Sequence, residues 1–142
     1  LWHTRAYSSH PNLWPLSCTP HELSDAHTER MSQYDLGLKG ERLAEAYLIE
    51  KGYAIKERRL RTRGGEVDLI ASRQGILYFI EVKYRPDGRL GSGLISISPR
   101  KKQSLLSAAG EYLAKTPSPW RLAYLEITRA GIRFHEDVLH EN

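Results

Sequence analysis

Residues 65–83 read Gly65-Glu66-Val67-Asp68-Leu69-Ile70-Ala71, then Ser72-Arg73-Gln74-Gly75, then Ile76-Leu77-Tyr78-Phe79-Ile80-Glu81-Val82-Lys83. Two apolar runs flank a polar tetrad that ends in glycine, which is the pattern of two strands joined by a turn. Each run carries charge where a buried strand should carry none: Asp68 lies between Val67 and Leu69, and Glu81 and Lys83 flank Val82. Side chains alternate along a strand, so Glu81 and Lys83 share one face and Val82 takes the other. Hairpin pairing can bring the Asp68 carboxylate near Glu81. Two carboxylates forced together at the end of an apolar sheet repel and lose hydration, and a divalent cation relieves both costs. Two oxygen ligands that leave water on the ion suit Mg²⁺. A lysine two residues from one ligand can orient a water or stabilise charge developing on a phosphate. The competing reading is plainer: Glu81–Lys83 is a same-face ion pair of small energetic weight and Asp68 a surface charge near the turn.

Upstream, Leu36, Leu43, Ala44, Tyr47 and Leu48 recur at three- and four-residue spacing, which predicts a helix over 35–51 stopped by Gly52. Glu41 and Glu45 lie one turn apart on its face. They are either a solvated acidic face paired with Lys39 and Arg42, or one of them leans over the cation site. Residues 53–58 begin as a strand and run into a basic segment, with Lys56, Arg58, Arg59, Arg61 and Arg63 against Glu57. On an edge strand such charge can simply blunt aggregation. It also makes a track for phosphates leading into the Gly64-Gly65 turn, since the arginine fork bonds two phosphate oxygens at once. Glu66 shares a face with Asp68 and is a further ligand, an acceptor for an arginine, or a strand-end charge.

Downstream, residues 85–98 are loop-like, rich in glycine, and either clamp a nucleic acid just after Lys83 or simply connect. Ser98 and Pro99 predict the N-cap and first turn of a second helix over 99–115, with Leu105, Leu106, Ala109, Tyr112 and Leu113 as its buried stripe. Arg100, Lys101 and Lys102 crowd its first turn, where the helix dipole disfavours cations, so a compensating anion such as phosphate is expected. Residues 116–119 break the helix. Residues 121–127 predict another strand, and Gly131-Ile132-Arg133-Phe134 a last one across a turn.

The ordered series Lys39-Gly40-Glu41, Ala44-Glu45-Ala46-Tyr47-Leu48, Gly52-Tyr53, Arg61, Gly65-Glu66-Val67-Asp68-Leu69-Ile70-Ala71 and Phe79-Ile80-Glu81-Val82-Lys83-Tyr84-Arg85 resembles the YraN-like family of small bacterial proteins. That family lies within the PD-(D/E)xK superfamily of restriction-endonuclease-like nucleases and is related to archaeal Holliday-junction resolvases. The resemblance implies an α/β fold: a restriction-endonuclease-like core with a central mixed β-sheet flanked by helices. It implies a metal-dependent endonuclease acting on phosphodiester bonds of DNA, branched DNA included, or a non-catalytic nucleic-acid-binding module that retains the fold. Asp68 and Glu81 would hold Mg²⁺ or Mn²⁺ together with the backbone carbonyl of Val82, and Lys83 would complete the catalytic set. Glu41 matches the position of a helix glutamate that lies close to the metal in the resolvase-like relatives. Arg58, Arg59, Arg61, Arg63, Arg85, Lys101 and Lys102 are the expected nucleic-acid contacts. A branched substrate wants two active sites, hence a homodimer. Family members carry an aspartate in the 121–127 strand, where this chain has Ala123.

Length and composition agree with one domain: 142 residues, formal net charge +4, pI about 9.3. Residues 1–30 hold Arg5 and Arg30 against Glu22, Asp25 and Glu29, so the positive balance belongs to 31–142 and suits a polyanionic partner. No apolar run is long enough to span a membrane. Cys18 is the single cysteine, which fits a reducing, cytoplasmic setting. Residues 1–30 carry three prolines, four of the six histidines and no periodicity, so no packed element is expected there. They read as a disordered leader or a mis-assigned start before Met31, with 31–142 the endonuclease-like domain; peptide mapping of the native protein decides whether the leader exists. Cys18, His21 and His27 match no common zinc spacing.

Overall fold

The computed structural model describes residues 13–14, 32–87 and 97–139. Its elements run β1 (Leu13–Trp14), α1 (Gln33–Glu50), β2 (Ala54–Arg61), β3 (Glu66–Arg73), β4 (Ile76–Arg85), α2 (Pro99–Lys115), β5 (Trp120–Thr128) and β6 (Gly131–His135). They form one mixed sheet in the order β1-β6-β5-β4-β3-β2. Only β4 and β5 pair in parallel, because α2 carries the chain back across the sheet between them. This is the α/β core expected from the sequence.

Each element has a local cause. The Ser32 hydroxyl caps α1 by accepting from the Asp35 N–H at 3.1 Å, so the helix starts two residues earlier than its apolar stripe suggests. Gly52, at φ +89°, closes it: the N–H groups of Gly52 and Tyr53 bond the carbonyls of Ile49 and Leu48, the paired bonds of a Schellman stop. Ser98 caps α2, with Pro99 in its first turn. Arg73 pairs with Ile76, leaving a two-residue hairpin turn at Gln74 and Gly75, both at positive φ, so β3 and β4 run further toward the turn than their apolar residues do.

Helix α1 covers one face of the sheet. Leu43, Ala44, Tyr47 and Leu48 pack there on Leu69, Ala71, Tyr78, Ile80, Leu125 and Ile127. Helix α2 covers the other, with Leu105, Ala108 and Ala109 on Ile70, Leu77, Phe79, Leu122 and Tyr124. Two clusters on opposite faces explain why β3, β4 and β5 are apolar at successive positions rather than alternating.

Three differences from the sequence reading stand out. Leu13–Trp14 pair with β6, so the 1–30 stretch contributes a short edge strand; two residues are too few for any periodic signal. The basic run lies inside β2 as far as Arg61, where the strand ends, and only Arg63 falls in the turn beyond it. An extra residue bulges this strand between Ile55 and Glu57, and Arg59 sits at φ +52°, so side-chain direction along it does not follow simple alternation. The remainder of 1–31, including Cys18, His21 and His27, and residues 88–96 of the proposed clamp lie outside the described residues.

Candidate functional site

Strands β3 and β4 part near Asp68. Their ladder runs from Arg73↔Ile76 to Leu69↔Ile80 and goes no further. Val67 packs with the α2 cluster while Leu69 and Ala71 pack with the α1 cluster, so the strict alternation fails once, at Asp68. Where the ladder stops, the Asp68 side chain takes over the backbone's role: its Oδ2 accepts the Val82 N–H at 2.8 Å. This fixes the carboxylate in the fork between the strands.

Glu81 projects into the same fork from β4, on the α2 face of the sheet. It is 2% exposed, unusual for a carboxylate. Burial, and then the neighbouring Asp68 charge, push its carboxyl up to about 7, against the pull of Lys101 and Lys83. Lys83 reaches Glu81 Oε1 at 3.5 Å, and Lys101 reaches Oε2 at 3.3 Å. The Lys101 approach lacks hydrogen-bond geometry, and Oε2 is buried with no hydrogen-bond partner. Val82 turns the other way and packs on the α1 cluster, as the period of two requires. The structure thus brings Asp68, Glu81 and Lys83 together at the fork, with the Val82 side chain on the opposite face.

Two other glutamates approach. Gly40 lets α1 lie directly on β4: a Cβ there would stand 2.6 Å from the Tyr84 Cβ. That close approach carries Glu41 over the fork, where it borders a cavity of about 300 Å³ shared with Glu66, Asp68, Glu81, Lys83 and Lys101. Glu41 also accepts from Arg59 Nε at 2.6 Å. Glu66 stays exposed and holds Lys101 Nζ at 3.2 Å. Gly65 allows this end of β3 to touch α2, since a Cβ would lie 1.9 Å from the Ser104 carbonyl oxygen.

The basic residues divide. Arg59 and Arg61 border a second cavity of about 240 Å³ that opens beside Glu41, Glu66 and Asp68. Arg63 is exposed in the Thr62–Gly65 turn, which Thr62 Oγ1 ties by accepting the Gly65 N–H at 3.1 Å. Arg85 ends β4, partly buried, and Lys102 is partly buried in the first turn of α2. Arg58 differs from its expected role: Nε donates to Glu45 Oε2 at 2.9 Å and Nη2 to Oε1, a two-point clamp onto α1. Lys101 differs too. The anions that offset its place in the first turn of α2 are Glu66 and Glu81. Burial works against its charge, but those two carboxylates outweigh it and hold Lys101 above the ordinary lysine range. The intervals from Lys101 to Glu66 and Glu81 carry no sequence signal; only the docking of α2 reveals the contact.

Among the described residues no group of three or more His, Cys, Asp or Glu side chains is arranged to hold a metal. The donor set is smaller: Asp68, Glu81, whose Oε2 makes no hydrogen bond and only the ion pair to Lys101, and neighbouring backbone. Such a set fits an ion that keeps much of its water, as Mg²⁺ does. Ala123, where the resemblance implies an aspartate, is fully buried in β5 opposite Ile80 and adds no ligand. No helix among the described residues is long and apolar enough to cross a membrane.

Comparison with known proteins agrees with the motif series. Residues 40–135 match the sequence model of the uncharacterised protein family UPF0102, the YraN family. A UPF0102 protein of Chlorobium phaeobacteroides (strain BS1) is 44% identical over 86 residues, covering 61% of this chain and 68% of its own. One from Syntrophomonas wolfei is 47% identical over 83 residues, 58% of this chain and 72% of its own. A third, from Rhodopseudomonas palustris (strain BisB18), is 41% identical over 92 residues, 65% and 67% of the two chains.

Proposed function

We propose that this protein, which belongs to the uncharacterised protein family UPF0102, is a metal-dependent endonuclease that hydrolyses phosphodiester bonds of DNA, branched DNA included. The observation that carries the reading is the fork between β3 and β4. It sets two mutually repelling carboxylates side by side, Glu81 buried and Asp68 partly so, and Glu81 Oε2 makes no hydrogen bond, its near cation being Lys101 Nζ at 3.3 Å. Two adjacent carboxylates drawn out of water cost stability unless a cation offsets them, a part that Lys83 and Lys101 now fill from the rim.

Asp68, Glu81 and the Val82 carbonyl would hold Mg²⁺ or Mn²⁺. Such an ion supplies, when bound, charge neutralisation at the phosphate and easier deprotonation of water. Hydrolysis joins a water oxygen to phosphorus and breaks one bridging P–O bond, and the departing oxygen finishes with a proton. Lys83, its side chain 42% exposed, orients that water or stabilises the charge that grows on the non-bridging oxygens. Glu41, steadied by Arg59, stands at the mouth of the fork. Arg61 and Arg63 hold the backbone on either side. A branched duplex offers two scissile strands, so the active form is a homodimer with two forks.

Lys101 favours a second reading. It places a protein cation on Glu81 and Glu66, which is what a nucleic-acid-binding module that had lost its metal would need. One assay separates the two. The purified full chain is given labelled branched, single-stranded and duplex DNA with Mg²⁺, Mn²⁺ or chelator. Cutting that needs the metal and vanishes in Glu81→Gln, while DNA binding persists, supports the enzyme. Salt-sensitive binding without cutting under either metal supports the module and rejects the enzyme.

A further inference from the structure

Helix α1 presents Tyr34, Gly37 and Glu41 on one face, three and four residues apart. Opposite them stand Arg59 and Arg61 of β2, and the space between is the cavity of about 240 Å³ that reaches Asp68. Gly37, Glu41 and Asp68 also border the cavity that holds Glu81 and Lys83, so the two spaces are continuous.

Two residues here are unexplained by folding. Tyr34 is 64% exposed, the most exposed large apolar side chain among the described residues. Its ring is not adrift: the Arg59 guanidinium lies 5.3 Å from the ring centroid, and Arg59 Nη1 donates to its hydroxyl at 3.4 Å. The second is Gly37. A helix-interior glycine costs about 0.5–1 kcal/mol relative to alanine. Gly40 has a reason to be glycine in its contact with Tyr84, whereas a Cβ on Gly37 would meet nothing within 4 Å. Its backbone is not left-handed either, since the glycines at positive φ are Gly52, Gly75 and Gly131. The fold does not need this glycine, and its effect is to keep the cavity floor open.

An aromatic ring braced by an arginine, an open floor and a second arginine are the parts of a nucleotide seat: the ring stacks on a base, and Arg61, with the donors that Arg59 does not give to Glu41, bonds a phosphate. We propose that the Tyr34–Gly37–Glu41 face, with Arg59 and Arg61, seats one unpaired nucleotide beside the phosphate at Asp68 and Glu81. The nucleotide must be unpaired because both faces of a base inside a duplex are already covered by its neighbours, and the ring is reached only by a base outside the stack. This rests on the nuclease reading for what lies at the fork, and it names the substrate class: a strand with a free nucleotide at the cutting point, as at a branch, flap or single-stranded end, rather than a continuous duplex.

The test is fluorescence anisotropy in chelator, with a labelled oligothymidylate and a blunt hairpin duplex as probes, on the full chain and four variants. Tyr34→Ala should weaken single-strand binding about tenfold, the usual worth of one stacked base, and leave duplex binding unchanged. Tyr34→Phe should bind as the wild type does. Gly37→Leu should lose single-strand binding by filling the seat, while Gly37→Ala retains it and melts at a higher temperature. The proposal is overturned if Tyr34→Ala and Gly37→Leu hold the single strand like the wild type, if their duplex binding falls equally, or if the wild type binds no single strand. The two readings fail separately. Metal-dependent cutting with unchanged Tyr34 variants removes the seat alone, and the expected binding pattern without cutting removes the nuclease alone.

Discussion

Glu81 pays for the site in its own protonation. Its carboxyl titrates near 7 because burial and the Asp68 charge both disfavour the anion. The ordinary value is 4.5, so the folded chain binds the proton more tightly than the unfolded one. Glu81's contribution to stability is therefore intact below about pH 4.5 and is lost as pH rises through 7. In chelator, Glu81→Gln should melt close to wild type at pH 5 and a few degrees above it at pH 8, as about 1 kcal/mol shifts a domain of this size by roughly 3–4 °C. Equal melting temperatures at pH 8 would show that the carboxylate is not strained. These residues were readable from sequence because period-two alternation fixes the face of Glu81 and Lys83, and a hairpin fixes their neighbour. Lys101 was not readable in its true role, because its partners depend on where α2 docks. The Arg58–Glu45 pair was not readable either, because the bulge and the left-handed Arg59 decide which way β2 side chains point.

Helices and strands set the site's dimensions through glycines that permit contact. Gly40→Ala would force a methyl against Tyr84 Cβ, and Gly65→Ala would force one against the Ser104 carbonyl. Each should cost about 1–3 kcal/mol in urea unfolding, the usual penalty of overpacking. Gly110→Ala is the matched control: it lies in α2 with nothing within 4 Å of a Cβ, so alanine should stabilise by about 0.5–1 kcal/mol. Loss of stability in Gly110→Ala as well would mean that close packing is not what sets Gly40 and Gly65 apart. The element types were legible because caps, stops and apolar stripes are local. Strand ends were less so: β2, β3 and β4 extend into polar residues whose pairing the neighbouring strand decides.

Across the whole molecule, charge is uneven in purpose rather than in amount. Several basic residues are committed internally, Arg58 to Glu45, Arg59 to Glu41 and Lys101 to Glu66 and Glu81, so a count of positive residues overstates the phosphate contacts proposed for them. Arg61→Ala or Arg63→Ala should each reduce the slope of log affinity against log salt by about 1, whereas Arg58→Ala should leave it nearly unchanged and loosen α1 instead. An equal slope change for Arg58 in a binding titration would return it to the interface. The fold class was legible from the order of elements, and the β1 edge was not, since two residues leave no pattern. The proposed chemistry depends on a cation seated between Asp68 and Glu81. Anomalous diffraction from crystals of the full chain soaked in Mn²⁺ measures this directly. The expected result is a manganese peak bonded to both carboxylates, with Lys101 Nζ drawn away from Glu81. No peak at saturating Mn²⁺, with Lys101 still bridging Glu66 and Glu81, would contradict it.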